Sequence, residues 1–405
     1  MSQYILINRI RVQNANTIAG FTWGFPAITH FLGFTHNLER KMHGKNKSEN
    51  EIKDQKYADI NLMGCAVISH KQQVHTYQPS YDIEFSQTRN SPYLKNHDKT
   101  ATPPVIEEGK MNMEVSLLIA YEGYLGENRI QDFCQWLKNT CLCQRLAGGT
   151  ILDIADIDIY SIDDETNTNL RKLTRKLLPG FILYDRSIYL ENHFQELQQQ
   201  NPDAELFDAW MDFIVLKQKA RPQSNLISQH FYQLTKNNPD NIQFQQLLFL
   251  WEEHLKQPYQ QETISTELIT YFSLFAEDKK YHQLLKQWQN YCQPGDKTSA
   301  VWEYIKKPEL GFLVPIMVGY KAISPVYKNH QVTNTRDNES DVCFVEAVHS
   351  IGEWQSIHRI KTAEELSHSL WHYDYQDHWY LCKQLSQLNY QSQEDILEVP
   401  SNDYI

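Results

Sequence analysis

No apolar run in the 405 residues approaches the ~20 that a membrane-crossing helix requires. The N-terminus lacks the basic region, apolar core and small-residue cleavage site of a secretory signal. The expectation is therefore a cytoplasmic protein without a membrane partner. Cysteine is sparse: seven residues, scattered and odd in number, suit reduced thiols better than a disulfide framework. Cys134, Cys141 and Cys143 have no second pair at zinc-like spacing and read as buried thiols. A phosphate-cradling P-loop, a dinucleotide fingerprint and a Gly-x-Ser-x-Gly elbow are all missing, so no cofactor and no catalytic residue is assigned. An acid–base ribonuclease needs none of these motifs, and sixteen histidines keep that chemistry open. Positive charge is also short. Lys and Arg total 38 against 50 Asp and Glu, for a net −12 and a pI near 5.7. That balance argues against a freestanding nucleic-acid binder, but allows one inside an assembly whose other subunits supply cationic surface.

What is present is a globular composition, 41% hydrophobic and 12% aromatic, in a chain long enough for two or three lobes. The organising stretch is Tyr4 to Met42. Tyr4 to Ile7 is apolar on both faces, as in a buried strand, and from Asn8 the pattern alternates. Ile10 and Val12 then share one face, while Arg9, Arg11 and Gln13 line the other. Gln13, Asn14 and Asn16 supply amides that both donate and accept. Gly24-Phe25-Pro26 opens a helix whose core stripe is Ile28, Phe31, Leu32, Leu38 and Met42, with Gly44 as the stop. The unpaired amides of that helix start, beside two arginines, are expected to offer a phosphate site.

Further strands are predicted over Leu62–His70 and Met113–Tyr121, then a helix with Ile130, Phe133, Leu137 and Cys141 on one face. Between the strands, residues 75–110 are polar and too long for an ordinary connection, which predicts a projecting hairpin or functional loop carrying Arg89. Arg145-Leu-Ala-Gly-Gly-Thr reads as a turn at Gly148 and Gly149, serving either a ligand's close approach or an ordinary tight turn. Leu170–Leu178 is the densest basic segment. Arg171 and Arg175 lie one helical turn apart, as do Lys172 and Lys176, with Leu170, Leu173 and Leu177 inward. Four cations on one helix face can span neighbouring phosphates, and equally can be a solvated surface. Residues 187–305 switch to helical periodicity, with Asn201-Pro, Arg221-Pro, Asn238-Pro and Gln257-Pro as boundaries. Arg336, His358 and Arg359 are further candidates in the C-terminal part, where Trp354 is either a stacking platform or core. His368 and His372, one helical turn apart with Asp374, Asp377 and His378 nearby, are the metal candidates weighed; an aromatic packing face explains them better, and no metal is assigned.

Several ordered motifs carry a resemblance: RVQNAN, TWGFPAITHFLGF, RLAGGTIL, RKLTRKLLPGF, GFLVPIMVGYKAISP and IGEWQSIHR. Together they resemble the second Csy-family subunit of type I-F CRISPR surveillance complexes, over residues 4–186 and 306–380. The resemblance implies an α+β fold, with a ferredoxin-like (RRM-like) Cas-five-type core over 1–186, a thumb about 75–110, a helical insertion over 187–305, and 306–405 completing the core. It also implies a non-catalytic subunit that binds the five-prime handle of crRNA, pairs with the large Csy subunit and seats the backbone Csy subunit. Target DNA is then met through the assembled complex. On that reading Arg9, Arg11, Arg145, Arg171 and Arg175 hold phosphates, Gln13, Asn14 and Asn16 read base edges, and Arg89 rides on the thumb. Two rivals remain: a precursor-crRNA endoribonuclease, and a subunit whose helical lobe senses the target-adjacent DNA motif in place of a large subunit.

Overall fold

A computed structural model describes residues 2–44, 57–89, 105–162, 168–274, 279–335 and 340–384. It divides into two compact units, residues 1–213 with 309–405, and residues 214–308.

The first unit begins with β1 (Ser2–Asn16), α1 (Ile28–Met42), β2 (Asn61–Val74), β3 (Val105–Glu122), α2 (Glu127–Leu142) and β4 (Gly149–Ile162). This βαββαβ run pairs as β2-β3-β1-β4, antiparallel throughout. One sheet face is apolar because Ile5, Ile7, Ile10, Val12 and Ala15 of β1 all reach it, and it packs on Phe31, Leu32 and Leu38 of α1 and on Phe133, Leu137 and Cys141 of α2. These helices form because their apolar residues recur at three- and four-residue spacing. Past the end of α1, at Met42, Gly44 turns at φ 70°, a conformation glycine adopts without steric penalty. The helix begins at Ile28, behind Ala27, two residues later than its proline suggests.

The opposite sheet face is covered for only half its length. There Tyr4, Leu6, Ala66, Ile68 and Leu118 meet Leu170 and Leu173 of α3 (Thr168–Lys176), Leu177 just past its end, and Ile357. Five further strands, β5 (Phe181–Asp185), β6 (Leu313–Ala322), β7 (Val345–Ser356), β8 (Trp371–Gln376) and β9 (Trp379–Gln384), with the short strands Gln87–Arg89 and Arg145–Leu146, extend the sheet to eleven strands among the described residues. They run β5-β7-β6-β9-β8, and both ends of that series return to β2: β5 at Ile68 and Ser69, β8 at Cys65. Pro315 of β6 sits where the strand pairs on one side only, since β9 joins it from Gly319 onward.

The ring closes around Gln384, which is 1% exposed. Its amide nitrogen donates to Leu183 O and Ser369 O at 3.0 Å, and its oxygen accepts from the Asp185 amide at 3.0 Å. One side chain thus satisfies three backbone groups that strand pairing leaves over.

Two helices, α4 (Ser187–Gln200) and α5 (Leu206–Ile214), mark where the helical region departs from its expected limits. All of α4, and α5 up to Phe213, belong to the first unit; Trp210 donates its indole N–H to Ser350 O at 3.1 Å. The second unit contains α6 (Asn225–Asn237), α7 (Ile242–Lys256), α8 (Thr266–Ser273) and α9 (His282–Cys292) around Phe231, Trp251, Phe272, Trp288 and Tyr291. Asn201, Asn238 and Gln257 terminate helices as their prolines suggest, but Arg221-Pro222 ends a strand, Gln218–Pro222, paired with Ala300–Tyr304.

Replacing Gln384 with leucine keeps its bulk but removes the acceptor of the Asp185 N–H and the donor to the buried Ser369 C=O. That change is expected to lower stability by about 1–3 kcal/mol, read as a fall in the urea midpoint. An unchanged midpoint would show that the amide does not hold the ring together.

Candidate nucleic-acid interface

The uncovered half of the sheet face begins at a bulge. The register along β1 slips between Ile7 and Ile10 against β3, with Arg9 at φ 49°. That slip turns Ile10 and Val12 to the apolar face and leaves Arg11 and Gln13 on the open one. Ser116 Oγ accepts the Arg9 amide at 2.9 Å, so a side chain replaces the ladder bond that the bulge removes. A second slip follows at Asn14, φ 57°, whose amide donates to Asn112 Oδ1 at 3.2 Å. Asn tolerates that conformation better than most residues.

Over this half lies a cleft of about 580 Å³ lined by Arg11, Gln13, Lys71, Gln73, Asn112 and Glu114, with Val12, Met113 and Leu152. Register explains the mixture. Arg11 sits opposite Glu114 on one side and Asp153 on the other, and Glu114 sits opposite Lys71. Charges therefore alternate across four strands in one row, the arrangement that cross-strand pairing favours.

Arg9 joins this face to α3. Its guanidinium donates to Glu114 Oε1 at 2.5 Å and to Leu178 O at 3.1 Å. His70 fastens the same corner, with Nδ1 at 2.8 Å from Pro179 O and Nε2 at 2.7 Å from Ser116 Oγ. Burial, with Arg9 adding to it, holds the His70 imidazole below its usual pKa. Lys176 is engaged as well, by Asp156 at 2.6 Å and by Asp158. Burial opposes its charge, but hydrogen bonds to the two carboxylates outweigh that and hold its pKa above the ordinary range.

Arg171, Lys172 and Arg175 stay exposed on α3, and Leu170 and Leu173 are buried beneath them. The short turn Ile357–Arg359 packs beside this helix through Ile357, whose amide donates to Gly180 O at 3.0 Å. His358 and Arg359, distant in sequence, thereby come to the α3 side of the sheet, both exposed. Arg145 is exposed in a hairpin strand, Arg145–Leu146, that pairs with Gly149–Thr150. Ala147 and Gly148, at φ 49° and 75°, make its two-residue turn, and Gly148 faces open space. At Gly149 a Cβ would lie 2.7 Å from Gln13 O and Ala15 N, so the close approach that glycine permits is to β1 itself. Asn16 closes a local turn, its side chain bonded to both the N–H and C=O of Ile18.

Arg89 ends the strand Gln87–Arg89, which pairs with the start of β3 beyond a small hairpin of Thr76–Tyr77 and Glu84–Phe85. The rest of the polar stretch, 90–104, and Arg336 lie outside the described residues. The phosphate site expected at the start of α1 does not form beside the arginines. Helix α1 packs on the Ile10–Val12 face, whereas Arg11 lines the opposite one. Trp354 is core, 5% exposed, with its ring edge-on to Phe25 at 4.9 Å. The His368–His372 helical pair also dissolves: His372 lies in β8, bonded to Met63 O, and Asp374 pairs with Lys383. Among the described residues no group of three metal-ligating side chains converges.

Lys71, Gln73 and Asn112 line the cleft yet carry no local motif. Their signal is the polar alternation in the second half of β2 and the first half of β3, legible only once the strands are in register.

The family described as CRISPR-associated protein (Cas_Csy2) matches residues 5–242 and 223–382, two stretches that meet in the helical unit. CRISPR-associated protein Csy2 of Pseudomonas aeruginosa (strain UCBPP-PA14) is 28% identical over 383 residues, covering 91% of this chain and 90% of that protein.

The His70 corner makes a pH prediction. With its folded pKa depressed, His70 contributes stability that is fully present above the ordinary value near 6.5 and is lost as pH falls through the folded value. In His70→Gln, the loss of urea midpoint between about pH 7.5 and about pH 5.5 should be smaller than in the unaltered chain. Equal losses would mean that His70 does not report on this corner.

Proposed function

This chain belongs to the Csy2 family of CRISPR-associated proteins, and we propose that it is a non-catalytic subunit of a type I-F Csy complex that holds the five-prime handle of the guide RNA. The observation that carries the proposal is the open half-face with its cleft of about 580 Å³, where guanidinium, ammonium and amide groups share one surface that no helix among the described residues covers.

The division of labour follows from which groups are already engaged. Arg9 and Lys176 are held by carboxylates and act as positioning residues, fixing α3 against the sheet. Arg11 and Lys71, with Arg171, Lys172 and Arg175 on α3, bind phosphates. Gln13, Gln73 and Asn112 carry amides that recognise the edges of unstacked bases, the form in which single-stranded RNA is read. The excess of cations over carboxylates on the sheet itself is small. Attraction of the strand is accordingly assigned to the α3 ridge, and discrimination to the sheet. His358 and Arg359 extend the ridge, and the hairpin carrying Arg89 acts as the thumb over the bound strand.

The ferredoxin-like reading of the core is supported by the βαββαβ order and by the strand order β2-β3-β1-β4. Pairing with the large Csy subunit and seating of the backbone subunit belong to the same proposal. Target DNA is then found by base pairing with the guide.

Two outcomes are expected. Replacing Arg11 and Lys71 together with alanine should weaken handle-RNA binding and flatten its log–log salt slope by about 1.4, at ~0.7 for each single-strand phosphate no longer neutralised. A slope that does not change would remove both from the interface. Handle RNA incubated with the purified chain in chelator should stay intact; cleavage would identify an endoribonuclease instead.

A further inference from the structure

Of the nine tryptophans, all among the described residues, Trp302 alone is exposed, at 67%, and Tyr304 two residues on is exposed at 66%. Residues two apart on a strand share a face, so both rings stand on one side of the ribbon made by Gln218–Pro222 and Ala300–Tyr304. Their cross-strand partners are Ala220 and Gln218, which are too small or too polar to cover them. Among the described residues neither ring stacks on another aromatic group.

The ribbon is a rigid base for these rings. Arg221, 3% exposed, lies on its other face and donates to Glu303 Oε1 at 2.5 Å, to the Tyr291 hydroxyl at 2.8 Å, and to the carbonyls of Leu255 and Gln257. A buried guanidinium thus ties both strands to the helical core. Tyr304 also lines a cleft of about 240 Å³ that holds Lys219, Lys256 and Lys306; the one carboxylate lining it, Glu303, is taken by Arg221. Lys256 pairs with Glu253 at the cleft margin. Charge over the whole unit agrees: residues 214–308 contain eleven Lys and Arg against nine Asp and Glu, in a chain of net −12.

We propose that the Trp302–Tyr304 ribbon of the helical unit is a second nucleic-acid site, a stacking platform for single strands whose backbone is drawn in by the adjoining lysines. Flat aromatic faces beside ammonium groups bind single strands with little sequence preference, because every base has a π-face. A protein partner would fit the apolar rings but would leave Lys219 and Lys306 without complementary charge.

The test uses the full chain carrying Arg11→Ala and Lys71→Ala, so that the sheet cleft does not dominate the signal and failure of that site is scored separately. Binding of labelled oligo-dT and oligo-U is measured by anisotropy before and after adding Trp302→Ala and Tyr304→Ala. Affinity is expected to fall about tenfold for each ring removed, and Trp302→Phe with Tyr304→Phe should retain most of it. A loss with both oligomers supports a general platform, and a loss with one alone identifies its ligand as DNA or as RNA. Unchanged affinity for both overturns the proposal, as does a phenylalanine pair as weak as the alanine pair. If the oligomers are unaffected but a co-purifying Csy subunit is lost, the ribbon is a protein interface and the proposal fails. Exposed rings can be removed without opening the core, so circular dichroism of the variants should match that of the parent.

Discussion

The first unit depends on one irregularity, the bulge at Arg9. A continuous strand from Ile5 through Val12 would have to send Ile5 and Ile7 to one face and Ile10 and Val12 to the other. The slipped register allows all four to be buried together and frees Arg11 and Gln13 for the opposite surface. A non-glycine residue at φ 49° costs about 1–3 kcal/mol. Three interactions offset it: the Arg9 amide on Ser116 Oγ, its guanidinium on Glu114, and the same guanidinium on Leu178 O. Hydrogen bonds involving charged groups contribute about 1.5–3 kcal/mol each, enough to hold the kink. The same arginine thereby sets where the buried half of the sheet ends, where the open half begins, and where the basic helix docks.

Much of this was legible in the chain where periodicity is local. The stripe of α1 from Ile28 to Met42, the Phe133–Leu137–Cys141 stripe of α2, and the inward leucines of α3 fall where the spacing predicts. The bulge had a signal too, the change of apolar phase from Ile5 and Ile7 to Ile10 and Val12, but it reads as a bulge only beside its partner strands. Non-local facts were out of reach. The basic residues of α3 look equivalent by spacing, yet Asp156 and Asp158 from β4 claim Lys176 alone. Helix α1 follows β1 closely in sequence, and packing still sends it to the face away from Arg11. Arg221-Pro222 resembled a helix boundary because a buried arginine joining two strands to a helical core leaves no local pattern.

The division of charge resolves an apparent conflict in the composition. Residues 187–213 carry six acidic residues and no Lys or Arg, and all of them belong to the first unit. The helical unit proper is slightly cationic. A net −12 is therefore the sum over two different bodies, each with its own local cations: the α3 ridge beside the open sheet in one, the lysines beside the ribbon in the other. Electrostatics acts over about a Debye length, ~8 Å at physiological salt, so local distribution matters more than the total.

The most direct measurement is photocrosslinking of the chain to guide RNA carrying a photoreactive uridine in the five-prime handle, with the modified peptides identified by mass spectrometry. The account predicts adducts on the segments around Arg11–Gln13, Lys71–Gln73 and Asn112 and on the exposed side of α3. Adducts confined to the α1 and α2 side of the sheet would contradict it.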